Sequence, residues 1–402
     1  LVRRVRSSVG IIGAVAFVVA LLLSVMVHEF GHYITAKRYG MHVTEFFLGF
    51  GRRIWSTVRG ETEFGLKAIP AGGYCKISGM SPREPISPEI EPRAFYKASA
   101  PRRLVVLGAG SFLHFVLGFL LLFVLFAGVG TSKVLSTVSE VVPCVTTKSA
   151  CSSSDPISPA KQAGIQPGDV ITGINGKTNL NWEEITTVLR SSPNTSVTLI
   201  IDRSGQTLEL PVTLSSREVE GKVRGFLGVV NRVGLVRESP ISAITESVSS
   251  FNQLFSGSIR SLVGLPAQIP SLFRQTFLGE ARSQDGLVGI VGVARATSEA
   301  ASSGNLTGGE KLATFILIIA SLNIFVGIFN LIPILPLDGG HMAIAIVDGV
   351  RRTAARRRGR PEPEPVDVER LTPITFVVVA LLIFLTLLLL LADIFNPINL
   401  RL

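Results

Sequence analysis

Four apolar stretches stand out along this chain of 402 residues: Val9–Val27, Leu104–Val129, Leu312–Leu335 and Ile374–Leu391. Each is long enough to cross the roughly 30 Å hydrocarbon core of a bilayer as a helix. The pattern between them is different. Ile54–Val58 and Thr62–Ala68 are strand-like runs on either side of Arg59-Gly60-Glu61, a turn. Pro70 ends the second run, and Gly72-Gly73 allow a tight backbone after it. Residues 44–80 therefore read as hairpins against the cytoplasmic face of a helical bundle, and the proline-broken stretch 81–92 as a loop. Farther on, Val170-Ile171 opens a strand, Asn175-Gly176 makes a hairpin turn, and Trp182–Arg190 is helix-like. Ser196–Asp202 and Thr207–Leu214 then alternate around Arg203-Ser204-Gly205. That is the pattern of a small α/β module. Ser239–Gly264 has the period of an amphipathic surface helix, with Ser239 as N-cap and Pro240 as first helical residue. Ser302–Glu310 reads as a Gly/Ser linker.

Composition agrees with a membrane chain. Charged residues are 17% and mean hydropathy is +0.46. The first span is too long for a signal-peptide core and lacks a small-residue cleavage site, so it reads as retained. Basic residues are dense from Lys37 to Arg103 and again from Arg351 to Arg370, which places both segments in the cytoplasm. Arg3, Arg4 and Arg6 oppose an external N-terminus but are outnumbered. The expected fold is a polytopic α-helical membrane protein with about four transmembrane helices, a cytoplasmic-face β-hairpin region and an extracytoplasmic α/β domain. The expected order is a first transmembrane helix (1–38), a membrane-associated hairpin loop (39–103) and a second transmembrane helix (104–130). The module (131–215) and an extracytoplasmic linker with amphipathic helices (216–311) follow. A third transmembrane segment (312–345), a basic cytoplasmic loop (346–371), and a fourth helix with its tail (372–402) complete it. The net charge of +10 follows this topology and lipid contact rather than nucleic-acid binding, since no basic stripe interleaved with aromatics is present. Cys144 and Cys151 fall outside, where a disulfide is permitted, and Cys75 falls inside. A metal pair is the alternative for Cys144 and Cys151, with no further ligand near.

The candidate chemistry lies at the end of the first span, in His28-Glu29-Phe30-Gly31-His32. Two imidazoles four residues apart share one helix face and can grip one metal ion, with Glu29 placed to take a proton from a metal-bound water. Ionisable groups inside a span are costly, roughly 2.5–3.5 kcal/mol for a central Asp, and a zinc ion offsets that cost. A salt-bridged helix histidine pair is the bland alternative. A catalytic zinc site takes three protein ligands. Candidates for the third are His114, Asp338, His341 and Asp393. Pro333 and Pro336 break the third helix, and Gly339-Gly340 let the chain turn sharply, so Asp338 is presented on irregular backbone at membrane depth. Such backbone is tolerated only in protein or along a wet cavity, which favours Asp338. A solvated Asp at a helix end is the alternative.

With HEFGH on the first span, Gly72-Gly73-Tyr74-Cys75-Lys76-Ile77-Ser78-Gly79 after it, and Asn330…Asp338-Gly339-Gly340 near the end, the chain resembles the site-two protease family. Ala163–Ile171 and Ile174–Gly176 resemble the circularly permuted PDZ domains of bacterial membrane proteases. The resemblance implies an intramembrane zinc metalloprotease with one external PDZ domain in the bacterial inner membrane. It makes His28, His32 and Asp338 the Zn2+ ligands and Glu29 the general base. Asn330 would position substrate or stabilise the oxyanion, and Gly72, Gly73 and Tyr74 would belong to a membrane-associated loop near the substrate. The implied partners are transmembrane substrates such as anti-sigma factors, an upstream site-one protease that trims them, and lipid. Gly225-Phe226-Leu227-Gly228 has the look of a peptide-carboxylate loop or of an ordinary strand start. The family often carries Gly-Pro and an Asn in the second span, where this chain has Gly110-Ser111 and His114, and its second proline often falls one place before Pro336. His114 reads as a buried, hydrogen-bonded histidine, with second-shell partner and ligand as alternatives; His42 and His341 read as interfacial. Two rivals are a membrane-bound zinc metallopeptidase of protein quality control and a non-catalytic PDZ scaffold. The first needs a soluble catalytic domain that residues 37–103 are too short to supply, and the second makes Glu29 dispensable.

Overall fold

A computed structural model describes residues 2–146, 151–152, 154–219, 221–282 and 286–397. In chain order the elements begin with α1 (Val2–Arg38), β1 (Val43–Arg59), β2 (Thr62–Ile77) and α2 (Ala100–Phe123). Next come β3 (Thr131–Val141), α3 (Pro159–Gln162), β4 (Val170–Ile174), β5 (Lys177–Thr178), α4 (Trp182–Ser191), β6 (Ser196–Arg203) and β7 (Gln206–Thr213). The chain continues with β8 (Ser215–Val219), β9 (Lys222–Phe226), β10 (Val229–Val236), α5 (Pro240–Phe277), α6 (Ile290–Ser302), α7 (Gly308–Asn330), α8 (Asp338–Arg357) and α9 (Thr372–Phe395). Contacts divide it into a helical unit, Leu1–Val129 with Arg237–Leu402, and a sheet unit, Gly130–Val236.

In the helical unit four helices are long and apolar enough to cross a membrane: Val9–Arg38, Ala100–Val129, Gly308–Asn330 and Val368–Phe395. Small residues let them approach closely. A Cβ on Gly31 of α1 would lie 2.7 Å from the Ala109 backbone of α2, and one on Gly118 would lie 2.8 Å from Ile324 of α7. This is how helices pack where lipid removes the hydrophobic drive between them. Three expectations change here. Residues 44–80 form not separate hairpins but one long pair, β1 and β2, whose strands fold over so that Glu45–Leu48 face Lys76–Gly73 on one side and Glu63–Leu66 on the other. The Ser239-capped helix runs on to Phe277 through Pro266 and Pro270, because Ile269 and Leu272 pack on Leu388 and Ala392 of α9. One face of it is packed, with Phe251, Leu254 and Phe255 against Leu122, Leu125 and Ile324, and the opposite face is exposed, as an amphipathic surface helix requires. The third segment, expected over 312–345, is broken where Pro333 and Pro336 were expected to break it, into α7 and α8 joined by a bend over 331–337. The basic loop expected over 346–371 is helical through Arg357, where Asp348 of α8 pairs with buried Arg103 of α2 at 3.0 Å.

The sheet unit is antiparallel, in the order β10-β3-β4-β6-β7 with β5 beside β4. Ile171, Val197, Leu199, Ile201 and Val212 line its core, and α4 adds Ile185 and Leu189 one turn apart. A capping box of Asn181 and Glu184 starts α4. Asn175 and Gly176 both have positive φ (52° and 76°), the requirement of a tight two-residue hairpin turn. Asp169 is buried, accepting from Arg203 Nε and Nη2 at 2.8 Å and from the Gln166 N–H. The Arg203 guanidinium holds its carboxyl below the usual range. The unit does not end at 215. Val229–Val236 pairs with β3 from Val229↔Val141 to Val236↔Thr131, so strands replace the first part of the expected linker. Cys144 and Cys151 are bonded, with Cα atoms 6.0 Å apart, and Cys75 is free.

Candidate metal centre

The helical period of α1 puts His28 and His32 on one buried face. Their Nε2 atoms are 3.0 Å apart. Asp338 Oδ2 lies 3.1 Å from His28 Nε2 and 3.4 Å from His32 Nε2. All three ligand atoms fall within 4.8 Å of one another, and among the described residues no other such trio of His, Cys, Asp or Glu occurs. Edges of roughly 3.3 Å are what a tetrahedral ion with bonds of about 2.0–2.1 Å requires. His32 Nδ1 donates to the Val106 carbonyl at 2.8 Å, leaving Nε2 as the lone-pair nitrogen that a metal needs. The donor set fits zinc.

Asp338 reaches the site because α7 stops at Asn330 and α8 starts at Asp338 itself. Gly339 and Gly340 are not the sharp turn expected of them. Both lie inside the first turn of α8, where a Cβ on Gly339 would meet the Leu331 and Ile332 carbonyls at 2.3 Å and one on Gly340 the Leu335 N at 2.5 Å. Their task is close packing of the helix start under the bend.

Glu29 projects from α1 towards β2, where a Cβ on Gly73 would be 3.6 Å from Glu29 Cγ. Among the described residues Gly73–Lys76 has a strand partner on one side only, so the strand beside Glu29 is a sheet edge. Burial pushes the Cys75 thiol up to about 12, so it stays protonated there. Gly72 has φ +136° against Phe50. The Tyr74 ring turns into the sheet, stacked 5.9 Å from both Phe47 and Phe50, and its hydroxyl meets Glu45 and Lys67.

The other candidates separate. Asn330 ends α7 and makes no side-chain hydrogen bond to another described residue. His42 meets Ser78 Oγ at 2.8 Å, and Asp393 pairs with Arg282 at 2.9 Å, where both are buried. His114 is 2% exposed and hydrogen-bonded to Asn323 at 2.8 Å, with its ring 5.0 Å from that of His28. Asn323 and Ser24 escaped the sequence reading. The available signal was one amide inside an apolar span, where unpaired polarity is expensive. Gly225 lies in β9, where a Cβ would meet the Leu189 carbonyl at 2.0 Å, and Gly228 has φ +91°.

A profile of Peptidase family M50 matches residues 16–361. The chain is similar to the zinc metalloprotease Rip1 of Mycobacterium tuberculosis, 32% identical over 410 residues that cover 96% of this chain and 98% of that one. To Rip1 of Mycolicibacterium smegmatis it is 30% identical over 413 residues, with the same shares. To the regulator of sigma-E protease RseP of Salmonella typhimurium it is 24% identical over 427 residues, covering 84% and 90%.

Proposed function

The chain belongs to peptidase family M50, and from that premise we propose that it is an intramembrane zinc metalloprotease with His28, His32 and Asp338 as metal ligands. The observation that carries the reading is the meeting of these three side chains at the end of an apolar span, beside a sheet edge. Zinc, when bound, supplies a water of lowered pKa and polarises a carbonyl. Glu29, beside the three ligand side chains, would take a proton from a water held there and return it to the leaving amine. A helical substrate hides its carbonyls in its own hydrogen bonds, so it must unwind, and the Gly73–Lys76 edge can hold the unwound segment by strand addition. Gly72 and Tyr74 shape that edge, and Asn330 steadies substrate or oxyanion.

The basic residues before Arg103 and after Arg351 support a cytoplasmic side for this chemistry and an extracytoplasmic PDZ-like sheet unit, in the inner membrane. Similarity to the regulator of sigma-E protease of Salmonella supports substrates that regulate a sigma factor. The sheet unit would then screen out precursors not yet trimmed by a site-one protease.

The test uses full-length protein in detergent with a model transmembrane substrate. Glu29→Gln should keep zinc and lose turnover about 100-fold or more. Turnover equal to that of the native protein overturns the mechanism.

A further inference from the structure

His32 has a partner behind its metal-facing nitrogen; His28 does not. Nε2 of His28 faces Asp338 and His32, so Nδ1 carries the hydrogen. That Nδ1 is buried with no hydrogen-bond partner among the described residues. Ligand histidines ordinarily donate this second N–H to an acceptor, which fixes tautomer and ring orientation.

The wall behind His28 holds a chain of hydrogen bonds whose direction can be worked out. Asn323 is 1% exposed in the middle of α7. Its Nδ2 donates to the Ile319 carbonyl at 2.8 Å and to Ser24 Oγ at 3.1 Å. A carbonyl only accepts, so the amide nitrogen must face Ile319 and Oδ1 must face away. Oδ1 lies 2.8 Å from His114 Nδ1. An amide oxygen only accepts, so His114 Nδ1 carries a hydrogen and the neutral ring presents a bare Nε2. The ring of His114 stands 5.0 Å from that of His28, tilted by 40°. One ring therefore has an N–H without an acceptor, and its neighbour has an acceptor without a hydrogen.

We infer that Ser24, Asn323 and His114 form a relay in which His114 Nε2 is the acceptor that the His28 Nδ1 hydrogen reaches by a turn of the facing rings, and that this bond orients His28 towards the metal. His114 is a positioning residue; it touches neither substrate nor ion. The direction of the relay is set at its far end by the Ile319 carbonyl. Ser111 Oγ, buried one turn before His114 on α2 and also unpartnered, is the competing acceptor.

The inference rests on the metal reading of His28, and its test separates the two. Full-length protein in detergent is titrated with a graded zinc chelator, and the visible spectrum of its cobalt-substituted form is recorded. His114→Phe and Asn323→Leu should weaken zinc retention by about 10–100-fold and change the cobalt spectrum. His114→Gln, whose side-chain oxygen can accept from His28, should recover most of both. The double variant should be no worse than either single one. Should His114→Phe fail to fold, the Asn323→Leu and Asn323→Asp pair decides, because only Asp keeps the acceptor. Native retention and spectrum in Asn323→Leu, or Gln as damaging as Phe, overturns the relay. Loss of zinc in Ser111→Ala but not in His114→Phe assigns the acceptor to Ser111 instead. Retention of zinc by His28→Ala overturns the metal reading itself.

Discussion

The two units of this protein are built with opposite polarity. In the sheet unit the buried side chains are mainly Val, Ile and Leu, with Pro159, Ala160 and the bonded Cys144, and Ser158 and Asp169 are the only buried polar residues described. In the helical unit the exposed surface is apolar, with Leu23, Phe112 and Phe376 all more than 60% exposed. Its interior holds Ser24, His28, His32, Arg103, His114, Asn323, Asp348 and Asp393. Water outside drives apolar groups inward, whereas lipid outside removes that drive and leaves polar groups seeking one another. A buried carboxylate in the sheet unit is an isolated exception closed by Arg203, whereas in the helical unit buried polar groups are the rule and one cluster of them is the candidate metal centre.

The sharpest break of this comparison is the removal of one buried partner. Asp393 Oδ1 meets Arg282 at 2.9 Å, and its Oδ2 accepts from the Gly289 and Gly292 N–H groups at the start of α6. Asp393→Leu should cost about 3–5 kcal/mol by stranding a buried guanidinium, seen as a lower thermal transition in detergent. If the variant melts with the native protein, the polar interior is not what holds α9 to α6.

A matched pair tests the solvent directly. Leu23 and Val223 are equally exposed, 61% and 63%. Leu23→Lys, mid-span, should cost about 2.5–3.5 kcal/mol in a membrane-insertion assay. Val223→Lys should change stability by no more than about 0.5 kcal/mol. Equal effects would erase the distinction between the units.

Opening the Cys144–Cys151 bond, with a separation of seven residues, should lower stability by at most about 2.5 kcal/mol on the chain-entropy model. Alkylation before reduction should label Cys75 alone. Two further labelled thiols in the native protein would refute the bond.

The smallest effect belongs to the polar rim of the helical unit. Glu61, in the turn between β1 and β2, is held at about 2 by Arg93 first and then Lys37. A carboxyl lowered in the folded state stabilises above its ordinary value of 4.5, and the contribution is lost as pH falls towards about 2. The gap in unfolding free energy between native protein and Glu61→Gln should be no more than about 1 kcal/mol near neutrality and close between about pH 4.5 and 2. A gap that widens in acid reverses the assigned sign.

Legibility followed the same division. In the sheet unit, period-2 alternation and the Asn175-Gly176 turn announce strands and registers, because one face meets water and the other a core. What was missed there, β10 against β3, joins segments far apart in sequence. In the spans, apolar residues face lipid and protein alike, so periodicity carries no packing direction. The helix expected to end at Gly264 runs on through Pro266 and Pro270, because contacts with Leu388 and Ala392 carry α5 past both. Gly339-Gly340 read as a turn, since nothing local reveals that the Leu331 and Ile332 carbonyls press on them.

The sequence alone determined the candidate metal-binding face of α1, because His28 and His32 at helical spacing converge whatever surrounds them, and it marked Asp338 by the broken backbone before it. It also determined four spans and their charge bias, since both follow from composition. Only the tertiary structure decided that Gly73 lies beside Glu29 and that Asn323 turns its oxygen to His114. Those facts depend on how separate segments meet across space, and the order of residues along one segment does not encode its partner.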